Sequence, residues 1–256
     1  MKKVAIIQSS YIPWKGFFDI IHDVDEFILY DNIPISNSSD WRNRNRIKTA
    51  DGVRWLTIPV GPRGHQLICE VNLHDPSWQS QHWRMMEASY SDAPSFSTYR
   101  NFFEHVFMER AWSNLSELNH FLIRQIASDY LGIRTKISDA RGYAASSAKT
   151  DRLIELLTAA GADIYISGPS ARTYINETRF RDAGIELVYK DYSGYPEYPQ
   201  PYPPFIHEVS IVDLLFQTGA DAPFFIWGWR GADSRQRGTS TQKDIPEDHD
   251  SRMVIE

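Results

Sequence analysis

Short apolar runs, each too brief to form anything but a strand, alternate along this chain with stretches whose apolar residues recur at helical spacing. That alternation limits the fold more than any other feature. Such units bury their apolar faces by laying parallel strands side by side and covering the sheet with helices. Residues 3–8 are the first run, and Pro13 opens a helix to about residue 22, since proline fits a first helical turn. Residues 26–30 form a second strand that ends at Asp31, and the turn formers of 32–40 make a loop. Residues 41–48 lead through Gly52 to a strand at 53–60 that stops at Gly61-Pro62. Helices are expected at 78–90, 95–110 and 113–132. In the last, Leu115, Leu118, Leu122, Ile126 and Leu131 make one apolar stripe, with Gly132 as its stop. Strands at 134–138, 163–167 and 185–189, and helices at 149–161 and 210–219, complete the pattern. The segment 191–204 holds five prolines and is expected to be irregular. The reading is an α/β fold, a mainly parallel sheet flanked by helices, with a helical insertion around residues 78–131.

One domain over residues 1–230 fits the chain of 256 residues, and residues 231–256 read as a polar, poorly packed tail. The apolar run of 4–7 is shorter than the ~7–15 residues of a signal peptide, and no stretch nears the ~20 needed to span a bilayer. A single cysteine, Cys69, allows no intrachain disulfide and suits a reducing compartment, so the expected location is the cytoplasm. A net charge of −6 gives no general attraction to nucleic acid.

Five segments carry side chains suited to a site. Gln8, Tyr11 and Trp14 lie where the first strand passes into a helix, the edge at which open parallel sheets bind ligands. The glycines and Lys-Ser/Thr pair of a P-loop are missing there. The run Trp41-Arg-Asn43-Arg44-Asn-Arg-Ile-Lys48 alternates guanidinium forks, which grip phosphate or carboxylate, with amides, which hold hydroxyls. Asp31 is a candidate catalytic acid, or a structural partner for one of these arginines. His82, four residues after Trp78, is a candidate general base or a satisfied structural group. Ser167-Gly168, with Tyr174 beyond, ends a strand in small residues that let a ligand approach the backbone. Tyr198 and Gln200 sit in the rigid Pro-Tyr segment. Asp213 falls inside an apolar helix, where an acid demands a partner. No histidine pair has metal-ligand spacing, and one cysteine rules out a thiolate cluster, so no metal site is expected.

In this order, QSSYIPWKGFFDII, DWRNRNRIKT with VRWLTIPV, Trp78-x-x-x-His82, YISGPSARTYI, YPEYPQ and SIVDLLFQTG resemble the WbqC-like family. The likeness covers about residues 3–220. It departs from the family pattern at Ser9, where members carry proline, at Asp31-Asn-Ile-Pro34, which lacks a glutamine, and at His207-Glu208-Val209.

The resemblance implies an enzyme of O-antigen or other surface-polysaccharide biosynthesis. It implies transfer of an acyl or aminoacyl group to the amine of a nucleotide-linked amino sugar. The donor would be a thioester on a carrier protein or coenzyme A, with no cofactor otherwise required. In that reading His82 is the base, Asn43, Arg44 and Lys48 hold phosphate or hydroxyls, and Gln8, Tyr11, Ser167 and Gln200 shape the pocket. A nucleotidyltransferase-like or ATP-using ligase, and a non-catalytic sugar-binding protein of an assembly complex, are the alternatives.

Overall fold

A computed structural model describes residues 1–36, 40–62, 64–173 and 175–231. Tyr174 and all but the first residue of the expected tail lie outside the described residues. In chain order the strands are β1 (Lys3–Ile7), β2 (Glu26–Leu29), β3 (Arg44–Thr49), β4 (Gly52–Thr57), β5 (Lys136–Asp139), β6 (Ile164–Ser167) and β7 (Glu186–Tyr189). The helices are α1 (Lys15–His22), α2 (Ser77–Tyr90), α3 (Phe96–Glu104), α4 (Leu115–Gln125), α5 (Lys149–Ala159), α6 (Glu177–Asp182) and α7 (Ile211–Thr218).

Five strands form one sheet in the order β5-β2-β1-β6-β7, and every pairing in it is parallel. Strands β3 and β4 form a separate antiparallel hairpin turned at Gly52, whose φ of 98° suits glycine. Side chains alternate across each strand, so the sheet has two apolar faces. Ala5, Phe27, Leu29 and Ile166 face the layer that contains α1 and α4. Val4, Ile6, Ile28 and Tyr165 face Leu156 and Leu157 of α5 and Phe180 of α6. Between β4 and β5 the chain runs through α2, α3 and α4, as the helical insertion requires. The stripe on α4 is buried as its spacing predicts, and Asn114 caps the helix by accepting the Glu117 N–H at 3.1 Å.

Several details differ from the sequence reading, among them β3, which was not read as a strand, and the pairing of the 53–60 run in a hairpin outside the sheet. Helix α1 starts at Lys15, two residues after Pro13. The Pro13 carbonyl accepts the Ile211 N–H, and Trp14 bridges to Ser210, so the entrance of α7 holds this stretch extended. Helix α6 was not foreseen, because its six residues are too few to show a period. Beyond α7, a helical turn at Phe224–Gly228 carries the chain to Arg230. That end is anchored. Asp19 of α1 is fully buried and accepts two bonds from the Arg230 guanidinium, at 2.9 and 2.5 Å. It also takes the Tyr195 hydroxyl at 2.5 Å and lies 3.0 Å from Lys190 Nζ. Among the described residues no helix is long and apolar enough to cross a membrane.

Candidate functional site

The strand order reverses between β1 and β6: successive parallel strands are added on one side of β1, then on the other. In doubly wound sheets ligands bind outside the carboxyl ends of the strands at such a point. Polar side chains gather on that edge from both faces of the sheet.

On the α4 face the centre is Asp31, just beyond β2. Its buried carboxylate accepts the Ser9 N–H at 2.8 Å, the Ser9 hydroxyl at 2.6 Å, the Ser116 hydroxyl at 2.5 Å and His120 Nε2 at 2.9 Å. Burial alone would raise this carboxyl. Bonds from His120, Ser116 and Ser9 outweigh it and hold Asp31 below the usual range. Ser9 stands where the family resemblance has proline, and its N–H is a donor that proline lacks. An ionised carboxylate only accepts, so His120 Nε2 carries the proton. The lone pair of a neutral His120 is therefore on Nδ1. That atom lies 3.7 Å from Asp139 at the end of β5, and Asp139 is paired with Arg141 at 2.7 Å. Asn119 fixes α4 to this edge by donating to the Ser9 hydroxyl at 3.2 Å and to the Arg42 carbonyl at 2.8 Å.

On the α5 face lie Gln8, Tyr30, Ser167 and Tyr189, by alternation from Ile6, Ile28 and Tyr165 and by the pairing of Ser167 with Tyr189. Gln8 Oε1 accepts from Arg42 at 3.2 Å, and the same guanidinium reaches the Ser10 hydroxyl at 3.5 Å. Arg152 of α5 lies over the Tyr30 ring, 5.6 Å from its centroid. The buried atoms Arg152 Nε and Asn32 Oδ1 have no hydrogen-bond partner among the described residues. Buried polar atoms left unpaired cost free energy, and a ligand is one way to satisfy them.

The other residues singled out from the sequence lie elsewhere. His82 is buried against Trp78 and Tyr11; its Nδ1 is 2.8 Å from the Tyr11 hydroxyl, and the Thr57 backbone takes a bond from the ring. Burial lowers its pKa to about 4, only partly offset by Thr57. The unfolded ring takes a proton near pH 6.5 while the folded one resists until about 4. The stability it lends is whole above pH 6.5 and is lost as pH falls through that window. The expected loss is about 2–3 kcal/mol between pH 7 and 4.5. Urea unfolding of the wild type and of His82→Leu at both values checks this; equal pH slopes would sink it.

Asp213 is fully buried and accepts the hydroxyls of Tyr90 at 2.7 Å and Tyr198 at 2.6 Å and the Gln200 amide at 2.8 Å. Lys48 sits beside it, donating Nζ to the Pro204 carbonyl at 2.5 Å. This cluster ties the Pro-Tyr segment to β3 and α7. Asn43 joins the end of β3 to Ile58 through its side-chain amide at 2.7 Å. Arg44 lies over the half-exposed Trp55, 4.0 Å from the ring centroid, and Trp41 meets the same ring at 5.4 Å. Trp14 packs against Tyr192 and Tyr195, and with Trp41, Ser10 and Glu208 lines a mainly apolar pocket near the end of β1. Of the residues read from the sequence, the sheet edge brings together Gln8, Asp31, Ser167 and Gly168.

Sequence reasoning missed His120, Ser116, Asn119, Asp139 and Arg152. A signal existed: Ser116 and His120 stand four apart, hence on one side of a helix whose apolar stripe they adjoin. Cys69, to which no role was given, donates its N–H to the Asp31 carbonyl at 2.9 Å. Among the described residues no group of three His, Cys, Asp or Glu side chains could hold a metal ion.

Uncharacterized protein Rv1507c of Mycobacterium tuberculosis (strain ATCC 25618 / H37Rv) is 45% identical over 228 residues, covering 88% of this chain and 98% of that one. No solved structure matches the chain significantly. The family model described as "WbqC-like protein family" matches residues 8–223, from the end of β1 to beyond α7, and the chain belongs to that family.

Proposed function

We propose that this protein transfers an acyl or aminoacyl group from a thioester to the amine of a nucleotide-linked amino sugar, as a step in surface-polysaccharide synthesis. The observation that carries the reading is the Asp31–His120 pair on the carboxyl edge of the sheet. A buried carboxylate fixes one ring nitrogen, and the other, 3.7 Å from Asp139, acts as the base. His120 takes the role the sequence suggested for His82, because His82 is enclosed in the core.

In the step, the sugar amine attacks the thioester carbonyl. A C–N bond forms, the C–S bond breaks, His120 Nδ1 accepts a proton from the nitrogen, and that proton leaves with the thiolate. The amine attacks directly, without an enzyme thioester. Burial pushes the Cys69 thiol up, an effect only partly countered by Arg141, so at neutral pH it is protonated and a poor nucleophile. Cys69→Ser is therefore expected to keep turnover within about twofold. Abolished turnover in a variant that still melts cooperatively would instead point to a covalent thiol mechanism. On this reading the reaction belongs in the cytoplasm, where nucleotide sugars and thioesters are made.

The test is a mass-spectrometric screen. UDP- and dTDP-linked amino sugars are incubated with coenzyme A and acyl carrier protein thioesters, and with ATP plus free amino acids. A mass gain on the sugar from a thioester, without ATP, supports the reading. Product only with ATP would make the protein a ligase; sugar-nucleotide binding with no product in any arm would make it a non-catalytic binder.

A further inference from the structure

The acyl-transfer reading uses the α4 side of the sheet edge and leaves the α5 side without a task. Four features lie along it. Arg152 reaches from α5 over Tyr30, and its Nε is buried and unpaired among the described residues. Arg172, exposed in the turn after β6, lies over the Tyr189 ring, 4.5 Å from its centroid. Gln8 stands between them at the end of β1, oriented by Arg42.

The fourth is Gly168. A Cβ built there would meet nothing within 4 Å, and its φ is not in the left-handed region. Neither backbone conformation nor a protein neighbour requires glycine. The bare backbone instead faces open space at the reversal point between β1 and β6, with Arg152 toward β2 and Arg172 toward β7.

We infer that this stretch of the carboxyl edge is a diphosphate subsite, with Arg152 and Arg172 as the clamp, Gly168 as the floor and Gln8 on the adjoining sugar. Guanidinium forks match phosphate oxygens two by two, and each fork lies over a tyrosine ring. Like charges repel one another, so two arginines on one edge favour a dianionic occupant. The layout agrees with the proposed chemistry, on which the assignment of the ligand's other end rests. His120 is anchored at the end of β2 and Gly168 ends β6, two strand spacings away, or about 10 Å. A ligand draped across the edge would put its amine over Asp31–His120 on one face and its diphosphate between the arginines on the other.

A diphosphate occurs both in a sugar nucleotide and in coenzyme A, so the probes are UDP, coenzyme A and inorganic pyrophosphate, titrated calorimetrically into the full chain, with uridine as the phosphate-free control. Binding of pyrophosphate, and of UDP or coenzyme A in competition with it, is expected, and none of uridine. Arg152→Gln and Arg172→Gln should each weaken it about 10- to 150-fold, the loss of one charged fork. Gly168→Val should abolish it with an unchanged melt. Which of UDP and coenzyme A binds names the source. No pyrophosphate binding by the wild type, or wild-type affinity in Arg172→Gln and Gly168→Val, overturns the inference. Arg172 is exposed, so that variant folds even if the Arg152 variant does not. The readout is binding alone. Acyl transfer that persists with unaltered diphosphate affinity in the variants would sink the subsite and keep the proposed reaction. Affinity lost in the variants of a protein that makes no product would do the reverse.

Discussion

Turnover in His120→Gln is expected to fall about 10²- to 10⁴-fold, the usual worth of a positioned general base. Glutamine is the informative replacement. Its amide can still donate to Asp31 in place of Nε2, so the buried carboxylate keeps a partner and the melting temperature should move little. It has no titratable nitrogen where Nδ1 was, so the base is gone. Two readouts separate this from a merely structural effect. KM for the sugar should change far less than kcat, and the melting temperature should stay near that of the wild type. Asp31→Asn makes the complementary case. The amide turns an NH₂ toward donors from Ser9, Ser116 and His120, so this variant should lose both activity and stability. Wild-type turnover in a folded His120→Gln protein would remove the base from the mechanism.

The largest effect on stability is expected at Asp19. Replacing it by alanine removes the shared acceptor of Arg230, Lys190 and Tyr195, all held at the inner side of α1. Lys190 is nearly enclosed, and stranding such a cation commonly costs ~3–5 kcal/mol. For a chain of this size that is a melting-temperature drop of roughly 6–20 °C. Lys190 keeps its second carboxylate, Asp23, which places the expected value toward the lower end. Arg230→Ala is a milder probe of the same joint, since Arg230 is a third exposed and leaves Lys190 with its partner. A drop under ~2 °C in Asp19→Ala would mean that the segment beyond α7 is not docked on α1.

Much of the fold was legible because it depends on period. Five of the six expected strands became the parallel sheet, within a residue or two at each end, while the sixth, at 53–60, pairs in the separate hairpin; the α4 stripe is buried as spaced. The site was legible only where it depends on strand ends. The carboxyl-edge rule singled out Gln8, Tyr11 and Trp14, of which Tyr11 is instead buried in the core against His82 and Trp78; Asp31, Ser167 and Gly168, chosen for their residue types at strand ends, lie on the same edge as Gln8. His120 was not visible for a physical reason: a helical period tells which side of α4 is apolar, but not what stands opposite its margin. Only the crossing of α4 over β2 puts Asp31 there. The reverse holds for Asp213, Tyr198 and Gln200. An acid in an apolar helix announces that a partner exists, and here the partners are the protein's own hydroxyls and amide. His82 likewise shares a compact spacing with Trp78 because both pack in one core, against Tyr11.

Asp31 takes donors both from β1, through Ser9, and from α4, through Ser116 and His120. Its four bonds therefore weld two parts of the chain that lie more than eighty residues apart in sequence. Assembly of the reactive centre and seating of the inserted helices become a single event. A shift of α4 by about 1 Å would part the imidazole from its carboxylate, a displacement able to cost ~10²-fold in rate. Mild denaturant should thus silence the protein while the sheet still stands, and a ligand that bridges the two sides of the edge should act as a rivet, holding the insertion down for as long as it is bound.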